Sequence, residues 1–132
     1  AALPEPSDVI TAVSIGLDVP RADLNARVDA RVDQMWADGF VDEVRELRIH
    51  GLDDSPTARA ALGYSQILQA LREQADPESA REPTKIATRR FARRQLSWFR
   101  RDPATQWFNP SQPDLAVHIA RLWQHSQVTT TA

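Results

Sequence analysis

The sequence contains no cysteine, and its four glycines are scattered along the chain. The lack of cysteine excludes disulfides and thiolate metal sites, and it fits a reducing compartment. Separated glycines exclude a phosphate-binding loop of the GxxxxGK[ST] type and a dinucleotide-binding fingerprint. No apolar run approaches the roughly 20 residues that a membrane helix needs, and no signal-peptide pattern opens the sequence. We therefore expect a soluble, cytoplasmic protein with no membrane partner and a length of about one domain.

Residues with obvious catalytic context are also scarce. His50, His118 and His125 have no carboxylate or cysteine at metal-ligand spacing, so we expect them at the surface. The serines lack the sequence context of an activated nucleophile. If the protein is an enzyme, its main catalytic groups lie outside these residues.

The formal net charge of −2 hides a strong asymmetry along the chain. Residues 1–82 carry eight Arg and sixteen Asp or Glu, a net charge of −8, whereas residues 83–132 carry eight Lys or Arg and two Asp, a net charge of +6. A locally basic region on an otherwise acidic chain is typical of a protein with a phosphate-backbone partner.

The basic residues concentrate between Thr84 and Arg101, where seven cations occur with no acid among them. Helical periodicity predicts a cationic arc, with Lys85, Arg89, Arg93 and Arg100 at its centre and Arg90, Arg94 and Arg101 beside them. The opposite arc is mainly apolar and contains Ala87, Phe91, Ala92, Leu96, Trp98 and Phe99. We expect the apolar arc to pack on a core and the cationic arc to face nucleic acid or another polyanion. The alternative is a solvated charged face that keeps the helix soluble.

Most of the remaining chain has a helical pattern. Predicted helices span Arg21 to Asp38, Phe40 to His50, Pro56 to Leu62 and Ser65 to Glu73, with Ser65 as the predicted cap of the fourth, and a last helix begins at Pro113. The first helix has an apolar stripe of Leu24, Val28, Val32 and Met35, and the last has one of Leu115, Ile119 and Leu122. Asp76 and Pro77 form a cap and first-residue pair, after which Pro83 either kinks the helix or restarts it. Predicted strands span Val9 to Val19 and Thr105 to Asn109.

These elements predict a mainly α-helical fragment with one or two strands. One strong strand cannot satisfy its own backbone groups, so the chain is expected to be a piece of a larger α/β protein whose parallel sheet is largely missing here. We expect a loose lead-in at residues 1–7, one C-terminal portion at 8–126 with the basic helix at 84–101, and a frayed tail at 127–132.

Two features have competing interpretations. Arg27 and Arg31 border the apolar stripe of the first helix, so we expect them to point toward the packed side, either toward an anion or toward a buried carboxylate. Gly63 and Tyr64 form a corner between two helices. This corner is either a site of close backbone approach with an aromatic face, or a glycine cap with a tyrosine packed over it.

Three blocks in order resemble the C-terminal part of the tRNA dimethylallyltransferase family, also called tRNA isopentenyltransferases. They are LNARVDARVDQMWADGFVDEVREL from Leu24, ALGYSQ from Ala61, and TRRFARRQLSWFRR from Thr88, followed by Trp107. The resemblance covers about residues 12–122. It implies an ATP-binding-family, P-loop α/β enzyme that transfers a dimethylallyl group from its diphosphate to N6 of the adenosine adjacent to the anticodon, with Mg²⁺ as cofactor. The phosphate loop, the general-base aspartate and the metal ligands of that family precede the matched region, so this fragment is expected to hold no catalytic or metal-binding residue and to be inactive alone.

The resemblance also implies partners and site residues. The partners are the tRNA anticodon stem-loop and dimethylallyl diphosphate, with a monomer expected at full length. The implied tRNA-binding residues are Leu62, Gly63, Tyr64, Ser65, Arg93, Arg94, Gln95, Trp98 and Arg100. Arg27 and Arg31 match the arginine-bearing helix behind the phosphate site and are implied to bind the diphosphate. The sequence departs from the family pattern at Ala60, Pro83 and Ser97.

Two other functions fit the same residues. One is a non-enzymatic helical nucleic-acid-binding module, and the other is a helical protein-interaction domain whose basic face meets an acidic protein. Sequence upstream of Ala1 separates the enzyme from the module, and RNA competition separates both from a protein-interaction domain.

Overall fold

The computed structural model describes residues 12–128, which fall into two compact units. The larger unit spans Pro20–Leu96, and the smaller one combines the chain up to Val19 with the chain from Ser97 onward. The predicted lead-in at 1–7, the first residues of the predicted strand at 9–11 and the last residues of the predicted tail at 129–132 lie outside the described residues.

The larger unit is helical. Its elements are α1 (Arg21–Ala37), α2 (Phe40–Ile49), α3 (Pro56–Ala60), α4 (Tyr64–Arg72) and α5 (Arg81–Phe99), with short 3₁₀ turns at Leu52–Asp54 and Pro77–Ala80. The last three residues of α5 belong to the smaller unit. The periodicity predicted α1 and α2 to within one residue at their ends, whereas α3 ends two residues before its predicted limit.

A 3₁₀ turn at Pro77–Ala80, capped by Asp76, leads directly into α5. The Asp76 carboxylate accepts a hydrogen bond from the backbone N–H of Glu78 at 3.0 Å, which confirms the predicted cap. The helix restarts at Arg81 after the 3₁₀ turn, so Pro83 lies in its first turn. Backbone N–H groups there have no intrahelical acceptor, and a proline in that turn costs no helical hydrogen bond.

The core of the larger unit joins α1, α2 and α4. Its buried apolar residues are Val32, Trp36, Phe40, Val44, Leu52, Ile67, Leu68, Ala70 and Ala80. Phe40 stands at its centre, with edge-to-face contacts to Trp36 at 5.6 Å and to Tyr64 at 4.9 Å between ring centroids. Gly63, Tyr64 and Ser65, which we call the GYS corner, are therefore connected to the core through the ring of Tyr64.

The smaller unit contains a two-stranded parallel sheet. β1 (Ile15–Leu17) pairs with β2 (Gln106–Phe108), with Gly16 opposite Trp107. Both predicted strands are present and both are shorter than predicted. The last helix, α6 (Leu115–Val128), carries the predicted stripe of Leu115, Ile119 and Leu122 on a half-buried face. Within residues 12–128, no helix is long and apolar enough to cross a membrane.

Candidate nucleic-acid interface

The GYS corner, residues Gly63 to Ser65, begins helix α4. Gly63 occupies the N-cap position, and its backbone N–H donates to the Gln66 side-chain oxygen at 2.8 Å. The Ser65 hydroxyl donates to the same oxygen at 2.8 Å. The prediction that Ser65 caps this helix is therefore wrong, because Ser65 is the second residue of the helix and the Gln66 side chain satisfies the free backbone donor instead.

Tyr64 is anchored at both ends of its side chain. Its ring packs edge-on against Phe40, and its hydroxyl donates to the Glu43 carboxylate at 2.5 Å. This hydrogen bond raises the pKa of Tyr64 above the ordinary tyrosine value, since the carboxylate stabilises the protonated phenol. Tyr64 remains half-buried rather than fully enclosed, and Leu62 before it is exposed. The corner is thus packed on one side and accessible on the other.

A cavity of about 280 Å³ lies beside the GYS corner. It is lined by Arg59, Ser65, Leu68, Gln69, Arg72 and Glu73. Arg72 is held by Asp53 at 2.8 Å, and Gln69 donates to Glu73 at 3.0 Å. Because Arg72 and Gln69 already have carboxylate partners, we assign no ligand to this cavity.

The prediction that the apolar arc of α5 packs on a core is wrong for its aromatic residues. Buried residues on this helix are Thr84 and Lys85, whereas Phe91 is 46% exposed and Trp98 is 66% exposed. The Thr84 hydroxyl donates to the backbone oxygen of Ala80 at 2.8 Å, which allows its burial. Within the larger unit, α5 therefore buries Lys85 from its cationic arc and leaves Phe91 exposed.

Carboxylates on α1 explain this orientation. Asp33 lies 2.7 Å from the Lys85 ammonium, and Asp29 lies 2.8 Å from the Arg89 guanidinium. The hydrogen bond that the Lys85 ammonium donates to Asp33, with a second that it donates to Glu82, raises the pKa of Lys85. The two aspartates are four residues apart on α1, and the two cations are four residues apart on α5. Each aspartate can therefore form an ion pair with one cation on successive turns of the two helices. This matched spacing was the sequence signal that could have identified the pairing.

The second half of α5 is different. Arg90, Arg93 and Arg94 are exposed, and none has a carboxylate within 4.0 Å among residues 12–128. Gln95 is exposed as well, so its amide needs no protein partner. Thr88 lies in the apolar arc, where its hydroxyl needs a hydrogen-bond partner, and this hydroxyl donates to the Thr84 backbone oxygen at 2.8 Å.

Helix α5 also connects the GYS corner to these arginines. A Cβ placed on Gly63 would lie 3.7 Å from the Thr84 side chain, so the corner adjoins the start of the helix. Thr84 and Arg93 are nine residues apart, a rise of about 14 Å along the axis. The larger unit therefore contains two parts of the predicted surface, the GYS corner and the arginines.

The other predicted contacts belong to the smaller unit. The Arg100 guanidinium lies 2.8 Å from the Asp18 carboxylate and 5.6 Å from the Trp107 ring centroid. Arg100 thus has a structural role in holding β1 and β2 to the end of α5. Trp98 is exposed and contacts Phe99 edge-to-face at 4.9 Å.

Arg27 and Arg31 are both exposed on α1, so the prediction that they point toward the packed side is wrong. The inward positions are taken by Val32 and Trp36, and the large indole at 36 shifts the buried stripe away from both arginines. Among residues 12–128 neither arginine has a carboxylate within 4.0 Å.

The residues that the structure describes include no group of three or more His, Cys, Asp or Glu side chains that could hold a metal ion. No residue between 12 and 128 is therefore assigned to the Mg²⁺ that the family resemblance implies.

Fold and site define this chain as a mainly α-helical part of an α/β protein that presents exposed arginines on its longest helix. The chain belongs to the IPP transferase family, whose sequence profile matches residues 2–102. It is 49% identical over 129 residues to the tRNA dimethylallyltransferase of Thermobifida fusca (strain YX), covering 97% of this chain and 40% of that protein. Identity to the tRNA dimethylallyltransferase of Cutibacterium acnes is 53% over 103 residues, covering 78% of this chain and 32% of that protein.

Solved structures show the same relationship. The full-length tRNA isopentenylpyrophosphate transferase of Bacillus halodurans superposes with a TM-score of 0.83 at 30% identity, covering 96% of this chain and 44% of that one. The corresponding transferase of Staphylococcus epidermidis has a TM-score of 0.72 at 28% identity, covering 91% and 38%. The chain spans about 40% of the length of the tRNA dimethylallyltransferases of Thermobifida fusca and Kineococcus radiotolerans and corresponds to their C-terminal part.

Proposed function

We propose that this chain supplies the tRNA-contacting surface of a tRNA prenyltransferase. The relatives' names indicate the reaction, which transfers a dimethylallyl group to a tRNA. We further propose N6 of the adenosine adjacent to the anticodon as the acceptor and dimethylallyl diphosphate as the donor. The observation that carries the RNA contact is the exposure of Arg93 and Arg94 on α5 with no carboxylate within 4.0 Å among residues 12–128.

The residues of the surface divide into two kinds of contact. The guanidinium groups of Arg93 and Arg94 bind phosphates and set the register of the RNA, and the exposed Gln95 amide hydrogen-bonds a base edge or the loop backbone. The rings of Tyr64 and Trp98 offer faces on which unpaired bases stack. Leu62, Gly63 and Ser65 complete the contact at the corner. Arg100 is proposed as a separate RNA contact that exchanges its partner Asp18 for a phosphate.

The proposed chemistry is a displacement at an allylic carbon. The adenosine N6 forms a bond to C1 of the dimethylallyl group as the bond from C1 to oxygen breaks, diphosphate departs with the electron pair, and N6 loses a proton to a base. The target base must leave its stack to reach this carbon. The proposed role of Arg27 and Arg31 is to stabilise the departing diphosphate, because both guanidiniums are exposed, lie one helical turn apart and are free of carboxylates among residues 12–128.

No step of this proposal passes through Mg²⁺, and the base that accepts the N6 proton is not identified among the described residues. No residue between 12 and 128 is assigned to either, so this part alone is proposed to be inactive. The proposal includes a monomeric, cytoplasmic protein at full length, as the family resemblance implies.

The test compares wild type, Arg94→Ala and Tyr64→Ala in the full-length protein that carries these residues. An anticodon stem-loop RNA is titrated at fixed salt, and prenyl transfer is followed in parallel. Arg45→Ala is the charge-matched control, because Arg45 is exposed on α2 and already paired with Asp42 at 2.8 Å.

We expect both site variants to lose RNA affinity and transfer while the control keeps both. Unchanged binding in both site variants would show that the GYS corner and α5 are structural only. Loss of binding to an acidic protein instead of RNA would support a protein-interaction domain.

A further inference from the structure

Six of the seven cations between Thr84 and Arg101 are divided by their partners, and the seventh, Arg101, lies beyond the end of α5. Lys85 is held by Asp33 at 2.7 Å and Glu82 at 3.1 Å, and Arg89 by Asp29 at 2.8 Å. Arg100 is held by Asp18 at 2.8 Å. These three cations already have anionic partners, so a phosphate would have to replace a carboxylate to bind them.

Three other cations on α5 form one exposed face. Arg90, Arg93 and Arg94 are separated by three and four residues, which places them on neighbouring turns of the same side of the helix. All three are exposed, and no carboxylate lies within 4.0 Å of any of them among residues 12–128. We call Arg90, Arg93 and Arg94 the free arginine face.

We infer that Arg90 is a phosphate-binding residue of the RNA surface, together with Arg93 and Arg94, and that Lys85 and Arg89 do not contact RNA. This inference rests on the proposed function and refines it, because it predicts which cations of the basic helix meet the phosphodiester backbone. Like charges one turn apart repel each other, and a bound phosphate relieves this repulsion. A cation that is already paired with a carboxylate has no such repulsion to relieve, so a phosphate stabilises it less.

The geometry also fits a backbone rather than a single anion. Side chains one turn apart on a helix have Cβ atoms about 5–6 Å apart, so three long guanidinium side chains can contact successive phosphates. Each phosphate that is neutralised releases counterions. The affinity should therefore depend on salt with a slope that reports the number of phosphate contacts.

The test measures the binding of an anticodon stem-loop RNA to the full-length protein at several salt concentrations. The variants are Arg90→Gln, Arg90→Lys and Arg94→Gln, with Arg45→Gln as the control for the loss of one exposed charge. A charge-neutral double variant, Asp29→Asn with Arg89→Gln, removes a paired cation together with its carboxylate. Thermal melting of each variant shows whether it is folded at the binding temperature.

We expect Arg90→Gln to weaken binding by about threefold to tenfold. The slope of log affinity against log salt should fall by about 0.7 to 0.9. Arg90→Lys should keep the slope because it retains the positive charge. Arg45→Gln and the double variant should match wild type in slope.

Two results would overturn the inference. If Arg90→Gln behaves like Arg45→Gln while Arg94→Gln and Tyr64→Ala lose affinity, Arg90 is not a contact although the proposed function stands. If the double variant loses as much slope as Arg90→Gln, the division into paired and free cations is wrong. Wild-type binding by all site variants, Tyr64→Ala included, would instead refute the proposed function itself.

Discussion

The backbone of Gly63 lies so close to the ring of Phe40 that no side chain fits between them. A Cβ at position 63 would lie 2.6 Å from Phe40 Cε1 and 3.0 Å from Phe40 Cζ. The glycine also has a φ of +88°, in the left-handed region that L side chains rarely adopt. The core of the protein therefore requires glycine at this corner, independently of any ligand.

Gly63→Ala should destabilise the fold by about 2–4 kcal/mol, the sum of backbone strain and an overpacked core. Urea unfolding followed by fluorescence measures this change. Gly39→Ala is the matched control, since Gly39 has a φ of +93° but nothing within 4 Å of its Cβ position. Gly39→Ala should lower the free energy of unfolding only by the backbone strain, about 1–2 kcal/mol. Equal losses in the two variants would contradict a steric role for Phe40.

Tyr64→Phe should lower the free energy of unfolding by about 1 kcal/mol at neutral pH, because it deletes the hydrogen bond to Glu43 and keeps the ring against Phe40. The pKa of Tyr64 is raised in the folded protein, so this stability is fully present below the unfolded tyrosine pKa of about 10. This contribution to stability is lost as the pH rises through the pKa that Tyr64 has in the folded protein. Urea midpoints of both proteins at neutral and strongly alkaline pH measure the effect, and a difference that persists unchanged at high pH would argue against the hydrogen bond as its source.

The pair between Asp29 and Arg89 should contribute about 1 kcal/mol of coupling between α1 and α5. Both side chains are about one-third exposed, so the value lies near the upper end for surface pairs. The Arg89 guanidinium donates to one Asp29 oxygen, and the other oxygen is buried with no hydrogen-bond partner among residues 12–128. Removing the arginine therefore leaves the whole carboxylate poorly satisfied. A double-mutant cycle of Asp29→Asn and Arg89→Gln measures the coupling by urea unfolding. Additive single effects would show that the two helices are held by other contacts.

Asp53 should make stability depend on pH in the acidic range. It accepts hydrogen bonds from Arg48 at 2.9 Å and Arg72 at 2.8 Å. The hydrogen bond from Arg48 is the main cause that lowers the pKa of Asp53 below its ordinary value, and the hydrogen bond and positive charge of Arg72 lower it further. A lowered folded pKa contributes stability above the unfolded pKa of about 3.9, and this stability is lost as the pH falls through the folded value.

The stability difference between wild type and Asp53→Asn should therefore be constant at pH 5–7 and shrink below about pH 4. Chemical unfolding at a series of pH values measures it. Arg48→Gln removes the main cause of the lowered pKa and should move the loss of stability to higher pH. An unchanged pH profile in Arg48→Gln would disprove this assignment.

Local signals in the sequence predicted most of the secondary structure. The spacing of Leu24, Val28 and Val32 identified α1, and the pair of Asp76 and Pro77 identified a helical start, because both patterns depend on residues close together in the chain. The glycine at 63 was correctly placed at a corner. Its reason, the ring of Phe40, could not be predicted, since it depends on a residue 23 positions away.

The candidate site was predictable as a set of residue types but not as a set of contacts. Arg93 and Arg94 are exposed as expected, whereas Arg27 and Arg31 are not inward, because Trp36 fills that side of α1. The acceptor for Tyr64, Glu43, gave no signal of its own. An exposed glutamate on a helix has the same sequence pattern whether it faces solvent or a tyrosine 21 residues away.

The sequence by itself determined the helices, the short strands, the contrast between an acidic first part and a basic second part, and the family. Tertiary structure alone decided which side of α5 faces the protein. Hydrophobic periodicity predicted that the aromatic arc would be inside, but Lys85 is only 9% exposed because Asp33 on another helix neutralises it. Periodicity measures apolar spacing within one segment, whereas the burial of a cation depends on whether another segment brings a carboxylate to it.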